Sequence, residues 1–296
     1  MTRKQKILIT GIEGFSGFHL EKALVQEGYE IYGTCLKPSS KPHYLTCDIT
    51  EMDDIQAVVD RVLPDAVIHL AGISFVGESN TTLFYDVNVI GTQNLLDALV
   101  KAKLPLQKVI LASSATVYGN QHKEILNESM CPHPINHYGI SKLAMEHLAA
   151  TYFEKLPIII VRPFNYTGVG QGEHFLIPKI VKHYREKQKS IELGNVHVSR
   201  EFNDVRDIVA WYITLLKSEA KSTVINLCSG KAISLLKVID DMNALAGYEI
   251  KVKINPIFVR EHEIKTLFGS TQKLHQMILA NETHSIRKTL EWMYES

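Results

Sequence analysis

Short apolar runs alternate with amphipathic stretches through the first half of this 296-residue chain. Residues 7–9, 30–34, 66–70, 108–113 and 157–161 are nearly continuous in apolar and β-branched side chains, the pattern of strands buried on both faces. Between them, residues 15–26, 52–62, 85–101 and 138–153 carry the spacing of amphipathic helices, the first closed by Gly28. Residues 37–42, with two prolines and two serines, read as an exposed loop. Strand–helix–strand repetition predicts a parallel sheet covered on both faces, which binds ligands beyond the carboxyl ends of its strands.

After Arg162-Pro163 the rhythm breaks. One helix is predicted at 177–187 among turn-rich segments. A helix at 205–217 and a strand at 224–227 return to the main sheet. Beyond Gly230 come a further helix, an edge-like strand at 251–254 and a closing helix. The expected fold class is α/β: a Rossmann-type, doubly wound parallel sheet with a smaller interleaved C-terminal α/β domain. Residues 1–162 and 204–228 are expected to bind the dinucleotide, and residues 163–203 and 229–296 the substrate.

Lys and Arg together number 32, as do Asp and Glu, so the formal net charge is zero. No global field collects nucleic acid or an anionic membrane, and neither is expected as a partner. Cys35, Cys47, Cys131 and Cys228 form no C-x-x-C pair, and the 13 histidines form no H-E-x-x-H, so no metal site is expected. The first apolar run is too short for a signal peptide, and no stretch approaches the roughly 20 apolar residues of a membrane span. A cytoplasmic protein is expected.

The first strand runs into Gly11-Ile12-Glu13-Gly14-Phe15-Ser16-Gly17, a G-x-x-G-x-x-G loop that opens a helix. Gly11 suits the tight turn, Gly14 the approach of a pyrophosphate, and Gly17 helix–sheet packing. The N–H groups of the helix start, with Phe15 and Ser16, then face the phosphates. An NAD-selective site usually carries a carboxylate at the end of the second strand. Here that strand ends in Thr34-Cys35-Leu36-Lys37, with Ser39, Ser40 and Lys41 close by. These groups suit a 2′-phosphate, so NADP(H) is favoured with NAD(H) as the alternative; Lys37 can also be simply solvated. Asp48, before Ile49, is either an acceptor for the adenine amino group or a helix cap.

Tyr138 and Lys142 stand four apart on a predicted helix and therefore share a face. A positive charge about 4 Å from a phenol is worth ~4 kcal/mol at an effective dielectric near 20. That would lower the phenol from its usual value near 10 by up to about three, making it a proton donor and acceptor at neutral pH. Ser114, beyond the fourth strand, is the candidate to hydrogen-bond a substrate oxygen.

Assembled, these residues resemble the extended short-chain dehydrogenase/reductases, the NAD-dependent epimerase/dehydratase family of nucleotide-sugar-modifying enzymes. The marks are the loop from Thr10 to Gly17, Leu70-Ala71-Gly72, Asn88-Val89-Ile90-Gly91-Thr92, the run from Ser114 to Gly119, the run from Tyr138 to Lys142, and Arg162-Pro163-Phe164-Asn165. The resemblance implies Tyr138 as general acid/base, Lys142 tuning it and holding the nicotinamide ribose, and Ser114 on the sugar C4 oxygen. It implies cofactor contacts at Ile49, Leu70, Ala71, Gly72, Asn88 and Phe164, and a homodimer built from helices 85–101 and 138–153.

In the second half, Leu193-Gly194-Asn195 and Arg200-Glu201-Phe202 are similar to the GDP-mannose branch of that family, and Asn226-Leu227-Cys228-Ser229-Gly230-Lys231 is most similar to the GDP-4-keto-6-deoxy-mannose reductases. That resemblance implies a nucleotide-sugar pocket lined by Asn165, Lys179, Arg200 and Arg260. The 4,6-dehydratases of the family need an Asp-Glu pair where this chain has Ala115-Thr116, and a methyl with a neutral hydroxyl cannot replace two carboxylates. A 4-reductase is expected, with a 4-epimerase holding NAD tightly as the alternative. A protein that kept the fold and lost turnover is a third reading, against which intact Ser114, Tyr138 and Lys142 stand.

Overall fold

The computed structural model describes residues 3–74, 79–121, 123–258, 265–277 and 283–296. The first half contains β1 (Lys6–Thr10), α1 (Phe15–Gln26), β2 (Glu30–Cys35), β3 (Tyr44–Thr46), α2 (Met52–Val62) and β4 (Ala66–His69). A short α3 (Thr82–Tyr85) passes through a π-helical turn, Asp86–Ile90, into α4 (Gly91–Ala102). Then follow β5 (Lys108–Ala112), β6 (Ile125–Leu126), α5 (His137–Ala150) and β7 (Ile158–Pro163).

The second half contains β8 (Tyr166–Thr167), α6 (Leu176–Arg185), β9 (Ser190–Leu193), β10 (Ser199–Arg200), β11 (Asn203–Asp204), α7 (Val205–Lys217) and β12 (Thr223–Leu227). It closes with β13 (Ile233–Ser234), α8 (Leu235–Ala246), β14 (Lys251–Ile254), β15 (Thr266–Gly269), α9 (Gln272–Met277) and α10 (Ile286–Glu295).

Seven strands form the central sheet in the order β12-β7-β5-β4-β1-β2-β3, and every neighbouring pair is parallel. The order reverses between β1 and β4, and the crevice of such a sheet lies at that point. One face is covered by α1 and α7 through Leu20, Leu24, Ile208, Trp211 and Leu215; α2, α4 and α5 cover the other through Ile55, Val59, Leu95, Leu99 and Met145. Both faces are apolar, which is why the strands read as continuous runs rather than as alternation.

The return of residues 224–227 to the main sheet is as expected, since β12 pairs with β7. The strand β3 was not: it has three residues after a proline-containing loop, too few to show a period. A third core gathers Ile180, Tyr184, Leu193, Val238, Met242 and Leu290 from α6, β9, α8 and α10. Beside it, β13-β10-β15-β6 make a second sheet. Among the described residues no helix is long and apolar enough to cross a membrane.

Candidate active site

All seven strands of the central sheet point the same way, so Thr10, Cys35, His69, Ala112 and Pro163 end on one edge. At that edge Gly11 takes a left-handed turn, with φ of 70°. A methyl group on it would lie 2.9 Å from the backbone of Ala71, so the loops after β1 and β4 meet here. Gly14 caps α1. A methyl on Gly17 would lie 2.5 Å from the Ile12 carbonyl oxygen, so the close approach is to the glycine loop rather than to the sheet. The opening N–H groups of α1 have no partner within the helix and form an anion-binding end.

Helix α5 begins at Asn136, whose side chain accepts a hydrogen bond from Gly139 N at 2.8 Å. That cap sets Tyr138 in the first turn. The Tyr138 phenol stands near enough to Ser114 for that hydroxyl to act on its proton affinity. Ser114 in turn caps a 3₁₀ turn, its Oγ accepting from Thr116 N at 3.1 Å and lying 2.9 Å from Thr116 Oγ1. One helical turn on, Lys142 donates to the carbonyl of Ala112 at 2.8 Å, and its Nζ lies 3.2 Å from where a methyl on Gly72 would be. The structure thus brings Ser114, Tyr138, Lys142, Gly72 and Asn88 together.

The electrostatics run opposite to the expected direction for the phenol. Burial pushes Tyr138 up to about 12, opposed by the nearby Ser114 hydroxyl. Burial also lowers Lys142 to about 8, while the Glu146 carboxylate raises it. Desolvation of both groups outweighs the attraction that sequence spacing suggests. At neutral pH the phenol therefore stands as a proton donor.

Several residues support these groups: Asn88 was expected as a cofactor contact, whereas His69 and Glu146 were not singled out by the sequence pattern. Asn88, fully buried in the π-turn, accepts from Ile73 N at 2.9 Å and donates to Ser141 Oγ at 3.0 Å. His69 lies between Thr10 Oγ1 at 2.6 Å and Thr92 Oγ1 at 2.9 Å. Thr92 donates to Asn88 O, so it accepts from His69 Nε2–H. Thr10 accepts from Ala71 N and donates to His69 Nδ1. Behind Lys142, Glu146 accepts from Ser113 Oγ at 2.5 Å and from Arg162 at 2.9 and 2.6 Å. The Arg162 guanidinium also lies over the Tyr118 ring, 4.7 Å from its centroid.

Other predicted residues have different partners. Phe15 stacks on Tyr166 at 5.9 Å, and Ser16 Oγ lies 2.6 Å from Tyr166 Oη, so both side chains join α1 to β8. Asp48 accepts from Thr50 N and Oγ1 as a local turn, whereas the cap of α2 is Glu51. Ile49 is buried against Gly91, and Leu70 follows β4 with its N–H on Thr10 O. Phe164 is buried beside Tyr118. The Asn165 side chain is exposed, and its carbonyl accepts from Asn203. Lys179 donates to Glu192 O at 2.9 Å and lies over the Phe258 ring. Arg200 donates to Ser199 O at 2.8 Å. Lys37 is exposed. Arg260 lies outside the described residues.

The sequence profile of the GDP-mannose 4,6 dehydratase family matches residues 8–294. The chain belongs to that family. Among curated members of the wider group, it is 35% identical to the GDP-6-deoxy-D-talose 4-dehydrogenase of Aggregatibacter actinomycetemcomitans, over 98% of this chain and 97% of that one. It is 34% identical to the GDP-6-deoxy-D-mannose reductase of Pseudomonas aeruginosa, over 92% and 90%. A provisionally assigned epimerase from Burkholderia cenocepacia J2315 superposes with a TM-score of 0.94 at 39% identity, over 99% and 98% of the two chains. A Pseudomonas aeruginosa structure complexed with NADPH does so at 0.88 and 29%, again over 99% and 98%. This GDP-mannose 4,6 dehydratase family member is an oxidoreductase of the kind that acts on CH–OH or C=O groups.

Proposed function

We propose that the protein is a reductase that converts a nucleoside-diphosphate 4-keto-6-deoxyhexose into its 4-hydroxy sugar nucleotide, with NADPH or NADH as reductant. The observation that carries this reading is the placement of Tyr138 next to Ser114, with Lys142 one helical turn further, at the sheet edge beside Gly72.

The residues fit a dinucleotide. Gly11 lets the loops after β1 and β4 meet at the sheet edge, and α1 presents its opening N–H groups at that edge. Gly11, Gly14, Phe15, Ser16 and Gly17 would hold the pyrophosphate end, and Lys142 the nicotinamide ribose. When bound, the reduced nicotinamide supplies the hydride for C4. Tyr138 donates its phenolic proton to the C4 oxygen as that oxygen gains charge, and Ser114 hydrogen-bonds the same oxygen. The ammonium of Lys142 stabilises the phenolate that remains until solvent reprotonates it. A phenol held near 12 arrives protonated, as the reducing direction requires.

Residues 163–203 and 229–296 are proposed to hold the nucleotide sugar, through Asn165, Arg200 and Arg260, while residues 1–162 and 204–228 hold the dinucleotide. Lys179 is proposed to join them, with one of its three N–H donors already on the Glu192 carbonyl. Thr116 Oγ1 lies beside Ser114 where a dehydratase needs a carboxylate, which disfavours water elimination. A homodimer through α4 and α5 would cover the exposed Ile90 and Ile140, and light scattering tests it.

The decisive assay mixes purified protein, NADPH or NADH, and GDP-, UDP-, CDP- or dTDP-linked 4-keto-6-deoxyhexoses. Oxidation of the reduced cofactor with one of them is expected, and no oxidation with any rejects the reading. Release of stoichiometric NAD on denaturation would favour the 4-epimerase, with which Ser114-Ala115-Thr116 is also compatible.

A further inference from the structure

The geometry points to Glu13, inside the glycine loop, as the carboxylate that receives the ribose hydroxyls of the adenosine half, selecting NAD(H) over NADP(H). Glu13 has this role only if the cleft takes a dinucleotide, as proposed.

In a sheet of this order, selectivity for a free 2′-hydroxyl normally comes from an acidic residue at the end of the second strand. Here β2 ends at Cys35 and continues into Leu36 and Lys37, none of them acidic. The groups that would instead favour a 2′-phosphate are largely engaged elsewhere. Thr34 is buried, and its Oγ1 accepts from Gly11 N at 3.2 Å. Lys41 donates to Tyr44 Oη at 2.7 Å and to Glu21 at 3.3 Å, and its ammonium lies 4.2 Å from the centroid of the Tyr44 ring. Ser39 Oγ accepts from Lys41 N. Lys41 is thus paired with the Glu21 carboxylate, which offsets its charge, whereas Lys37 is exposed.

The glycine loop meanwhile lies against the end of β2. Ile12 N donates to Thr34 O at 3.2 Å, and the Ile12 side chain packs where Gly33 has no Cβ. Glu13 is the next residue, exposed, and Gly14 N closes the turn back onto Gly11 O at 3.0 Å. The negative charge of Glu13 reaches the Cys35 thiol at the strand end, which is raised first by burial and then by Glu13. A carboxylate there can accept from the 2′- and 3′-hydroxyls together. It meets a 2′-phosphate, with a charge of about −1.5 to −2, as a like charge.

The test measures dissociation constants for NADH and NADPH by nicotinamide fluorescence, on wild-type protein, Glu13→Gln and Lys37→Ala. Wild type is expected to bind NADH at least tenfold more tightly than NADPH. Glu13→Gln should shrink that ratio at least fivefold, mainly through stronger NADPH binding, with an unchanged melting temperature because the side chain is exposed. Lys37→Ala should move the ratio less than Glu13→Gln. A wild-type preference for NADPH, a ratio unmoved by Glu13→Gln, or a larger effect of Lys37→Ala overturns the assignment while leaving the dinucleotide reading intact. Binding of neither nucleotide by the folded wild type overturns both.

Discussion

The side-chain amide of Asn88 donates to the hydroxyl of Ser141 at 3.0 Å and ties the loop after β4 to the helix that carries Tyr138 and Lys142. The same amide clasps the loop itself through both backbone groups of Ile73. Asn88→Ala would strand these buried partners, at a cost of about 1–3 kcal/mol. The expected result is a lower melting temperature together with a kcat reduced at least tenfold, since Lys142 loses its fixed distance to the loop. Full activity in a destabilised variant would show that the amide only supports the fold.

Lys142 predicts a pH profile. Its ammonium is held down to about 8, chiefly by burial, so it is charged below that pH and neutral above it. The reduction rate at low substrate concentration, which reports the free enzyme, should fall as pH rises through about 8. Tyr138, near 12, stays protonated across that range and is not the cause. A profile flat to pH 10 would contradict this assignment.

His69 makes the fold sensitive to acid. Burial lowers it to about 3, so the folded protein keeps it neutral while the unfolded chain protonates it near 6.5. Its contribution to stability is complete above pH 6.5 and lost progressively as pH falls towards 3. By pH 5 the loss should be about 2 kcal/mol. Denaturant titrations of wild type and His69→Asn between pH 5 and 7 measure it, and equal slopes in the two proteins would count against the account.

Glu146 and Arg162 are a buried pair, each only 5% exposed at the side chain. Glu146→Leu leaves the guanidinium without its carboxylate and should destabilise the protein by about 3–5 kcal/mol. It also frees Ser113, adjacent to Ser114, so kcat should fall further than KM changes. The double variant Glu146→Leu/Arg162→Met removes both charges and should recover much of the stability by chemical denaturation.

The alternation of apolar runs made the central sheet legible because its strands are buried on both faces and are long enough to show it. The glycine loop and the four-residue spacing of Tyr138 and Lys142 were legible for the same local reason. What required the fold was anything set by partners distant in the chain. Burial of Tyr138, which reverses its expected shift, comes from packing. Lys41 finds Glu21 on α1 and Tyr44 on β3. Tyr166 on β8 finds Ser16 on α1. The π-turn at Asp86–Ile90 is hidden because its residues share the apolar spacing of the helix it precedes. The two-residue strands β6, β10 and β13 are too short to carry any period.

Tyr138→Phe keeps the ring, which lies 6.2 Å from that of Phe84, and removes only the phenolic hydroxyl. Turnover of a nucleotide-linked 4-ketosugar should fall at least a thousandfold, the loss of a positioned general acid together with its hydrogen bond to the developing charge, about 4 kcal/mol. Binding of the reduced nicotinamide cofactor should stay within about threefold of wild type, since the phosphates are held from the glycine loop. A variant that still turns over at the wild-type rate would contradict the account at its centre.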